Sequence, residues 1–588
     1  MGTKISQNAL SKIVQIGLFQ VPPDKIIKAG RLVNVFTGEI QEKVYVGLWK
    51  QWIAYVVGWD HPLTVDEQTE VVDLSAYTLC PGFIDGHTHV DGWMTLGEFL
   101  KYAIPGGATA IVTETSAIAS AMGKRGVFSL LRDAARQPIP IYITAPAEIP
   151  PYPGLETCHP FDTDDFAEVL AHERTLGMGE IYWKALIDRD RELLKRVAMT
   201  LKAGKLVEGH AAGARNDRLD AYIAAGVSSC HESVSPEEVF EKRRLGMDVM
   251  IRCGYIRDDL EAIAPALKER PIDEGLMLVS DNYSPQMLVR DGYLNHIAHL
   301  AVKRGLDPVD VVKMLSLHVA RHFRLDRRGG IAPGWLADVI AVKDLEDFKV
   351  EFVMSEGKVV WKEGDFEIAP KPVNFPKSFR KSITIPEAHE IDFYLWGKED
   401  PTKVRVIEIK TETVTSLSTY PLSLSDEGNI MADPSRDIVK LSVIYRAATS
   451  YPETVGFIKG FGLKEGAVAT SLSWDCNNIV VLGPNECDMA AAVNRVRELG
   501  GGMVFSLGEE VVVEVPLPLA GITSEKSLTE LACEIDEFER TLKEMGCPLP
   551  RPFLAMQTLS FTGLPFYRLT DKGLLDIRAK KLIPIIVS

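Results

Sequence analysis

The chain has 588 residues, enough for two to four domains with several buried cores. It is 46% hydrophobic and 25% charged with a net charge of -16, which argues against nucleic acid or an anionic membrane as partner, since both select basic patches. The eight cysteines include no Cys-x-x-Cys pair and read as reduced thiols of a cytoplasmic protein; neither a signal peptide nor a transmembrane helix is expected.

Residues 1–25 carry a short amphipathic patch, Ile13 to Phe19, closed by Pro22-Pro23, and are expected to form an N-terminal packing extension. From Lys25 to Asp73, short β-branched runs broken by Gly and Asp predict strands at Ile26–Val35, Val44–Leu48 and Ile53–Gly58. Similar runs return far downstream, at Ala337–Val342 and Val350–Trp361. One small β-sandwich, residues 26–77 and 332–375, split by an inserted domain, accounts for both.

The insert, residues 78–331, opens with an apolar strand expected over Leu79-Cys80-Pro81-Gly82-Phe83-Ile84-Asp85-Gly86-His87-Thr88-His89. Residues i and i+2 of a strand share a face, so His87 and His89 present their imidazoles together, half of a metal's coordination sphere. Pro81 to Gly86 followed by His-x-His resembles the first-strand signature of the amidohydrolase superfamily of metal-dependent hydrolases. Strand–helix alternation continues, with strands ending near His89, Thr115, Ala147, Lys184, Ala211, Glu232, Cys253 and Asn282. Helical runs fall at Arg125–Arg136, Asp165–Leu176, Arg191–Ala203, Pro236–Leu245 and Leu260–Arg270. This pattern predicts an α/β fold, a (β/α)8 TIM-like barrel; no Gly-x-Gly-x-x-Gly follows a strand, which disfavours a doubly wound sheet.

Residues 376–588 read as a C-terminal α+β domain with an antiparallel sheet. Its strand-like runs are Val404–Ile409, Asp437–Tyr445, Ile479–Leu482, Gly502–Phe505 and Val511–Val515, and its helical runs are Asp488–Leu499 and Leu528–Met545.

Catalytic groups of a barrel sit at the carboxyl ends of its strands. In order, these ends offer His87 and His89, then Glu180, then His210, then His231, then Asp281. A single strand-end histidine is commonly a hydrogen-bonded core residue, and Asp281 alone could cap the helix after Ser284-Pro285. Agreement across five strands points instead to two divalent ions, Mn2+, Fe2+ or Zn2+. His87, His89 and Asp281 would hold one, His210 and His231 the other, with an acidic group between them. Many amidohydrolases use a carboxylated lysine there, for which Lys184 is the alternative; Glu180 needs no modification and is preferred. His296, His299, His318 and His322 are expected to pack or cap. Two metals make hydroxide available near neutral pH, and Asp281 can shuttle its proton to a leaving nitrogen, so the chemistry is hydrolysis at an sp² C–N centre.

Longer runs narrow the resemblance. Arg31 to Ile40, Gly209-His210-Ala211, Leu219 to Gly226, Arg244 to Arg252, Leu345 to Val350, Pro516 to Gly521, Leu559-Ser560-Phe561 and Leu569 to Leu574 resemble the adenine deaminase branch of the amidohydrolases. The resemblance implies a dinuclear site, often manganese or iron, where hydroxide attacks C6 of adenine to yield hypoxanthine and ammonia. It also implies a homo-oligomer acting on a small N-heterocycle. Departures fall where substrate would be read. Glu114-Thr115-Ser116-Ala117 stands for Asp-Pro-His-Glu, Cys230 for Asp, Asn282-Tyr283 for Asp-Arg, and Trp474-Asp475-Cys476-Asn477-Asn478 for His-Asp-Ser-His-Asn. Trp93 (within Asp91-Gly92-Trp93), Glu114, Glu232 and Asn282 are therefore the candidate substrate contacts. A different purine, pteridine or cyclic amide is the alternative substrate, and an inactive metal- or ligand-binding homologue the minor alternative.

Overall fold

A computed structural model describes residues 5–451, 455–564 and 566–587. The first element is the helix Gln7–Gly17, whose start is set by Ser6: its hydroxyl accepts the Ala9 N–H. Ile13 and Ile16 form its buried face and pack on Trp52, Ala54 and Tyr55. The helix thus begins upstream of the amphipathic patch and lies on the sheet that follows.

That sheet has eight strands, drawn from both ends of the region around the insert. Lys25–Asn34, Glu39–Trp49, Trp52–Gly58 and Glu70–Pro81 join Val339–Val342, Val350–Ser355, Lys358–Lys362 and Asp365–Phe366. Glu70–Pro81 is the seam, parallel to Lys25–Asn34 and antiparallel to Val339–Val342, with Leu79 opposite Ala341. Ile27, Leu32, Val46 and Leu79 share one buried cluster with Val339, Phe352 and Met354. Neither half could cover this apolar face alone, so the downstream strands have to return to it.

Gly82 marks the exit. A Cβ there would lie 2.2 Å from Thr109 Oγ1, while the Gly82 N–H donates to Asp338 O at 2.9 Å. The run Leu79–His89, expected as one strand, is therefore two: Leu79 to Pro81 close the first sheet, and a new strand starts at Phe83.

The inserted region has eight short strands: β1 (Phe83–Thr88), β2 (Ala108–Thr113), β3 (Ile141–Ala145), β4 (Thr175–Tyr182), β5 (Leu206–His210), β6 (Ser229–Cys230), β7 (Asp248–Arg252) and β8 (Leu276–Val279). β1 to β5 form one parallel sheet and β6 to β8 another, each in chain order. Ser228 N donates to Val207 O between the two sheets, and Thr88 pairs in parallel with Asp281 just beyond β8. Helices between the strands, such as Ser116–Ala134, Arg191–Lys202 and Pro236–Arg244, complete a TIM-like α/β domain. The helix expected over Asp165–Leu176 is Thr163–Ala171; it stops early because β4 already starts at Thr175.

Downstream lies a second eight-stranded sheet, between Thr402 and Pro516. It is antiparallel except where Thr402–Ile409 pairs in parallel with Gly456–Lys459. The helix Glu486–Leu499 packs Met489, Val493 and Val496 against Ile444, Ala467 and Val481 of that sheet. A second helix, Leu528–Glu544, starts in a capping box of Ser527 and Glu530. No helix among the described residues is long and apolar enough to cross a membrane.

Candidate active site

β1 is buried along its whole length, and it delivers His87 and His89 to one end of the TIM-like domain with ring centroids 5.3 Å apart. His87 Nε2 lies 3.3 Å from Asp281 Oδ1; His89 Nε2 lies 3.6 Å from the same oxygen and 3.5 Å from Glu180 Oε1. Glu180, near the end of β4, joins this group to the next pair. Its Oε2 is 2.7 Å from His210 Nδ1 at the end of β5 and 3.2 Å from His231 Nε2 just past β6. Three triads, His87–His231–Asp281, His87–His89–Glu180 and Glu180–His210–His231, each gather their ligand atoms within 4.8 Å.

The ligand atoms of these triads are imidazole nitrogens and carboxylate oxygens, and neutral imidazole and carboxylate are both electron-pair donors. His87 Nε2 is buried and makes no hydrogen bond to any described residue, although Asp281 is near. Such a donor set fits divalent cations of the manganese, iron and zinc kind. The demand for positive charge also shows in the imidazoles. Burial opposes protonation of His89, but the neighbouring Asp281 and Glu180 carboxylates outweigh it and push the pKa up to about 10. Burial likewise opposes protonation of His210, yet Glu232 and Glu180 raise it to about 9. His231, stacked on His87 at 4.0 Å, goes the other way: burial and the neighbouring His87 charge bring it down to about 4.

Asp281 is aimed by its backbone. Its φ is +59°, a left-handed conformation that non-glycine residues rarely adopt, and its N–H donates to His87 O at 2.9 Å. Oδ1 faces His87, in β1, and His89, just past its end. Oδ2 lies 3.4 Å from Arg252 Nη1 on the fully buried Arg252, which also binds Glu232 and, through Nε, Asp259 Oδ2 at 2.7 Å. Burial works against ionisation of Glu232, but Arg252 first, then His210 and His231, hold its carboxyl down to about 2.

A pocket opens over this cluster. Its walls include His89, Glu180, His210, His231 and Asp281 from the TIM-like domain, together with Trp93, Arg252, Ile256 and Asn282. Leu472, Trp474, Asp475, Asn477, Phe561 and Leu564 from the C-terminal region complete it. The two parts are hydrogen-bonded: Tyr182 OH donates to Asp475 Oδ2 at 2.7 Å, and Asn477 Nδ2 donates to Ser120 Oγ at 2.8 Å.

Residues 78–360 match the amidohydrolase family, and residues 412–581 match the adenine deaminase C-terminal domain. The adenine deaminase of Moorella thermoacetica is 34% identical over 586 residues, 98% of each chain. That of Clostridium botulinum is 33% identical over 577 residues, 96% of each chain. The chain belongs to the adenine deaminase family. Among solved structures, the beta-aspartyl dipeptidase of Fervidobacterium islandicum AW-1 overlaps 60% of this chain and 98% of its own at 19% identity, with a TM-score of 0.45.

The departures from the adenine deaminase pattern fall in different places. Asn282 and Trp474 stand in the pocket wall, as do Trp93 and Glu232. Cys230 does structural work instead: its Sγ accepts the N–H groups of Ala211 and Glu232 at 3.3 and 3.2 Å. Glu114, expected to meet substrate, lies behind the cluster at 2% exposure, with Oε1 3.6 Å from His87 Nδ1. Gly179 makes room for it, since a Cβ there would stand 2.2 Å from Glu114 Oε2. Lys184 is not brought to the cluster. The chain leaves β4 at Tyr182 and Lys184 sits in the helical turn Trp183–Ile187, where its Nζ pairs with Asp188 at 3.3 Å.

Arg252, Tyr182 and Asp475 are polar pocket residues that the sequence did not single out. A buried arginine such as Arg252, flanked by carboxylates only in space, leaves no local signal in the sequence. Tyr182 and Asp475 meet only because the domains dock. The one available signal was Asp475 itself, the retained aspartate in a run otherwise altered at Trp474, Cys476 and Asn477.

Proposed function

We propose that the protein is a metal-dependent aminohydrolase that converts adenine and water to hypoxanthine and ammonia. The observation that carries this reading is that the segment matching the adenine deaminase C-terminal domain places Trp474, Asp475 and Phe561 in the same pocket as the histidine–carboxylate cluster. In this reading the eight strands close as a (β/α)8 barrel, inserted in a split β-sandwich formed by the first eight-stranded sheet.

His87, His89 and Asp281 would hold one divalent ion and His210 and His231 the other, with Glu180 close enough to both groups to serve as a shared acidic ligand. Ions bound there supply a water acidic enough to act as nucleophile near neutral pH. The chain's own residues position and protonate. Arg252 holds Asp281 Oδ2, which leaves Oδ1 to accept the proton of the attacking water and pass it to the departing exocyclic nitrogen. Trp93, Leu472, Trp474 and Phe561 offer apolar surface to a flat ring and exclude bulk water from it. Assembly as a homo-oligomer in the cytoplasm belongs to the same reading, with light scattering as the check on assembly.

Protein reconstituted with Mn2+ should release one ammonia and one hypoxanthine for each adenine consumed, followed by chromatography. No ammonia from adenine, with turnover of another purine, a pteridine or a cyclic amide, would instead establish the second reading. Trp474 and Asn282 in the pocket wall favour it, because a changed hydrogen-bonding wall alters which ring is accepted.

A further inference from the structure

Among the side chains that the C-terminal region gives to the pocket, one is a carboxylate: Asp475. Its turn is held in an unusual shape. Asp475 and Asn477 have φ of +64° and +50°, and Asn477 N donates to Ser473 O at 3.0 Å across the turn. Asn477 Nδ2 then pins the turn to the TIM-like domain through Ala117 O and Ser120 Oγ, at 3.1 and 2.8 Å. Tyr182 OH takes one carboxylate oxygen, Oδ2, at 2.7 Å. No described residue donates to the other. A fixed acceptor with one free oxygen therefore faces a pocket whose neighbouring walls are Trp474, Phe561, Leu472 and Leu564.

Reaction at C6 of a purine requires that carbon to face the histidine–carboxylate cluster, which leaves the imidazole half of the ring for the remaining walls. A free purine base carries an N–H there, on N9 or N7; a nucleoside has a sugar on N9 and no such donor. We infer that Asp475 Oδ1 accepts the imidazole N–H of the ring, so that a residue of the C-terminal domain selects free nucleobases over N9-substituted purines. This rests on the adenine reading above and adds to it which half of the ring is read, and by which domain. Asp475 is a specificity residue here, with no part in the proton transfer assigned to Asp281.

The test compares adenine with 9-methyladenine in the Mn2+-loaded wild type, Asp475→Ala and Asp475→Asn. The wild type should prefer adenine by at least about 100-fold in kcat/KM, since a site built to bond an N–H rejects an analogue without it. In Asp475→Asn, Tyr182 keeps the amide oxygen and leaves the Nδ2 donor where the acceptor stood. KM for adenine should then rise by about 10-fold, the size of a lost buried hydrogen bond. The preference over 9-methyladenine should fall to within about tenfold in both variants, with metal content and Tm unchanged. Should the alanine variant fail to fold, the isosteric asparagine variant carries the test alone. A variant that keeps the wild-type preference, or that loses both substrates equally through kcat, would overturn the inference while leaving the adenine reading intact. A wild type inert towards adenine would overturn that reading, and the inference with it.

Discussion

At the scale of single residues the cluster turns on Glu180, whose two oxygens reach His89 on one side and His210 and His231 on the other. Glu180→Gln should lower bound metal by at least one ion per chain, whereas Lys184→Ala should leave metal content unchanged; elemental analysis of the two variants decides between them. Equal loss in both would restore the lysine as a ligand. Asp281→Asn should keep much of its metal yet lose about 10²- to 10⁴-fold in kcat, because an amide cannot accept the proton. Survival of activity in that variant would remove the shuttle from Asp281. That these six side chains gather at one end of the domain was legible from the sequence, because a strand's period and a barrel's geometry place strand-end residues together without reference to anything distant. Lys184, the alternative to Glu180, falls outside the cluster because β4 ends at Tyr182 and the lysine lies in the helical turn that follows.

At the scale of elements, the segment after β3 ties the TIM-like domain to the C-terminal region. Thr157 N donates to Asp571 Oδ1, Asn478 Nδ2 to Thr157 O and Thr570 Oγ1 to Leu155 O, at 2.8, 2.8 and 2.6 Å. In its midst Glu156, 5% exposed, accepts from Tyr152 N at 2.8 Å and Thr562 Oγ1 at 2.9 Å. Burial is the main cause that pushes its carboxyl up to about 8, from an ordinary 4.5. A raised folded-state pKa means the neutral acid favours the fold: that contribution is complete below 4.5 and fades as pH climbs through 8. Glu156→Gln mimics the neutral form, so between roughly pH 6 and pH 9 the wild type should lose about 1–3 kcal/mol relative to the variant. Denaturant unfolding across that range measures it, and parallel curves for the two proteins would show that Glu156 is not held neutral. None of this was legible in the sequence, since every contact but the one from Tyr152 joins residues hundreds of positions apart. Element type was legible in β1 to β5 because strands covered on both faces read as short, nearly continuous apolar runs. The break at Gly82 was not, because its cause is the neighbouring Thr109 rather than the apolar run itself.

On the scale of the whole molecule, the site is shared. The TIM-like domain supplies the histidine–carboxylate cluster, with Asp281 as the proposed proton shuttle, and the C-terminal region supplies Trp474, Asp475 and Phe561 to the same pocket. The family resemblance was legible in both regions, but their meeting at one pocket was not, since docking of one domain on another leaves no periodic trace in either. Two ions working as one centre on adenine is the central claim, and titration of metal-free protein with Mn2+, followed by ammonia release from adenine, tests it most directly. Activity should climb with loading and level off at two ions per chain. A full complement of metal with no ammonia from adenine would contradict the account.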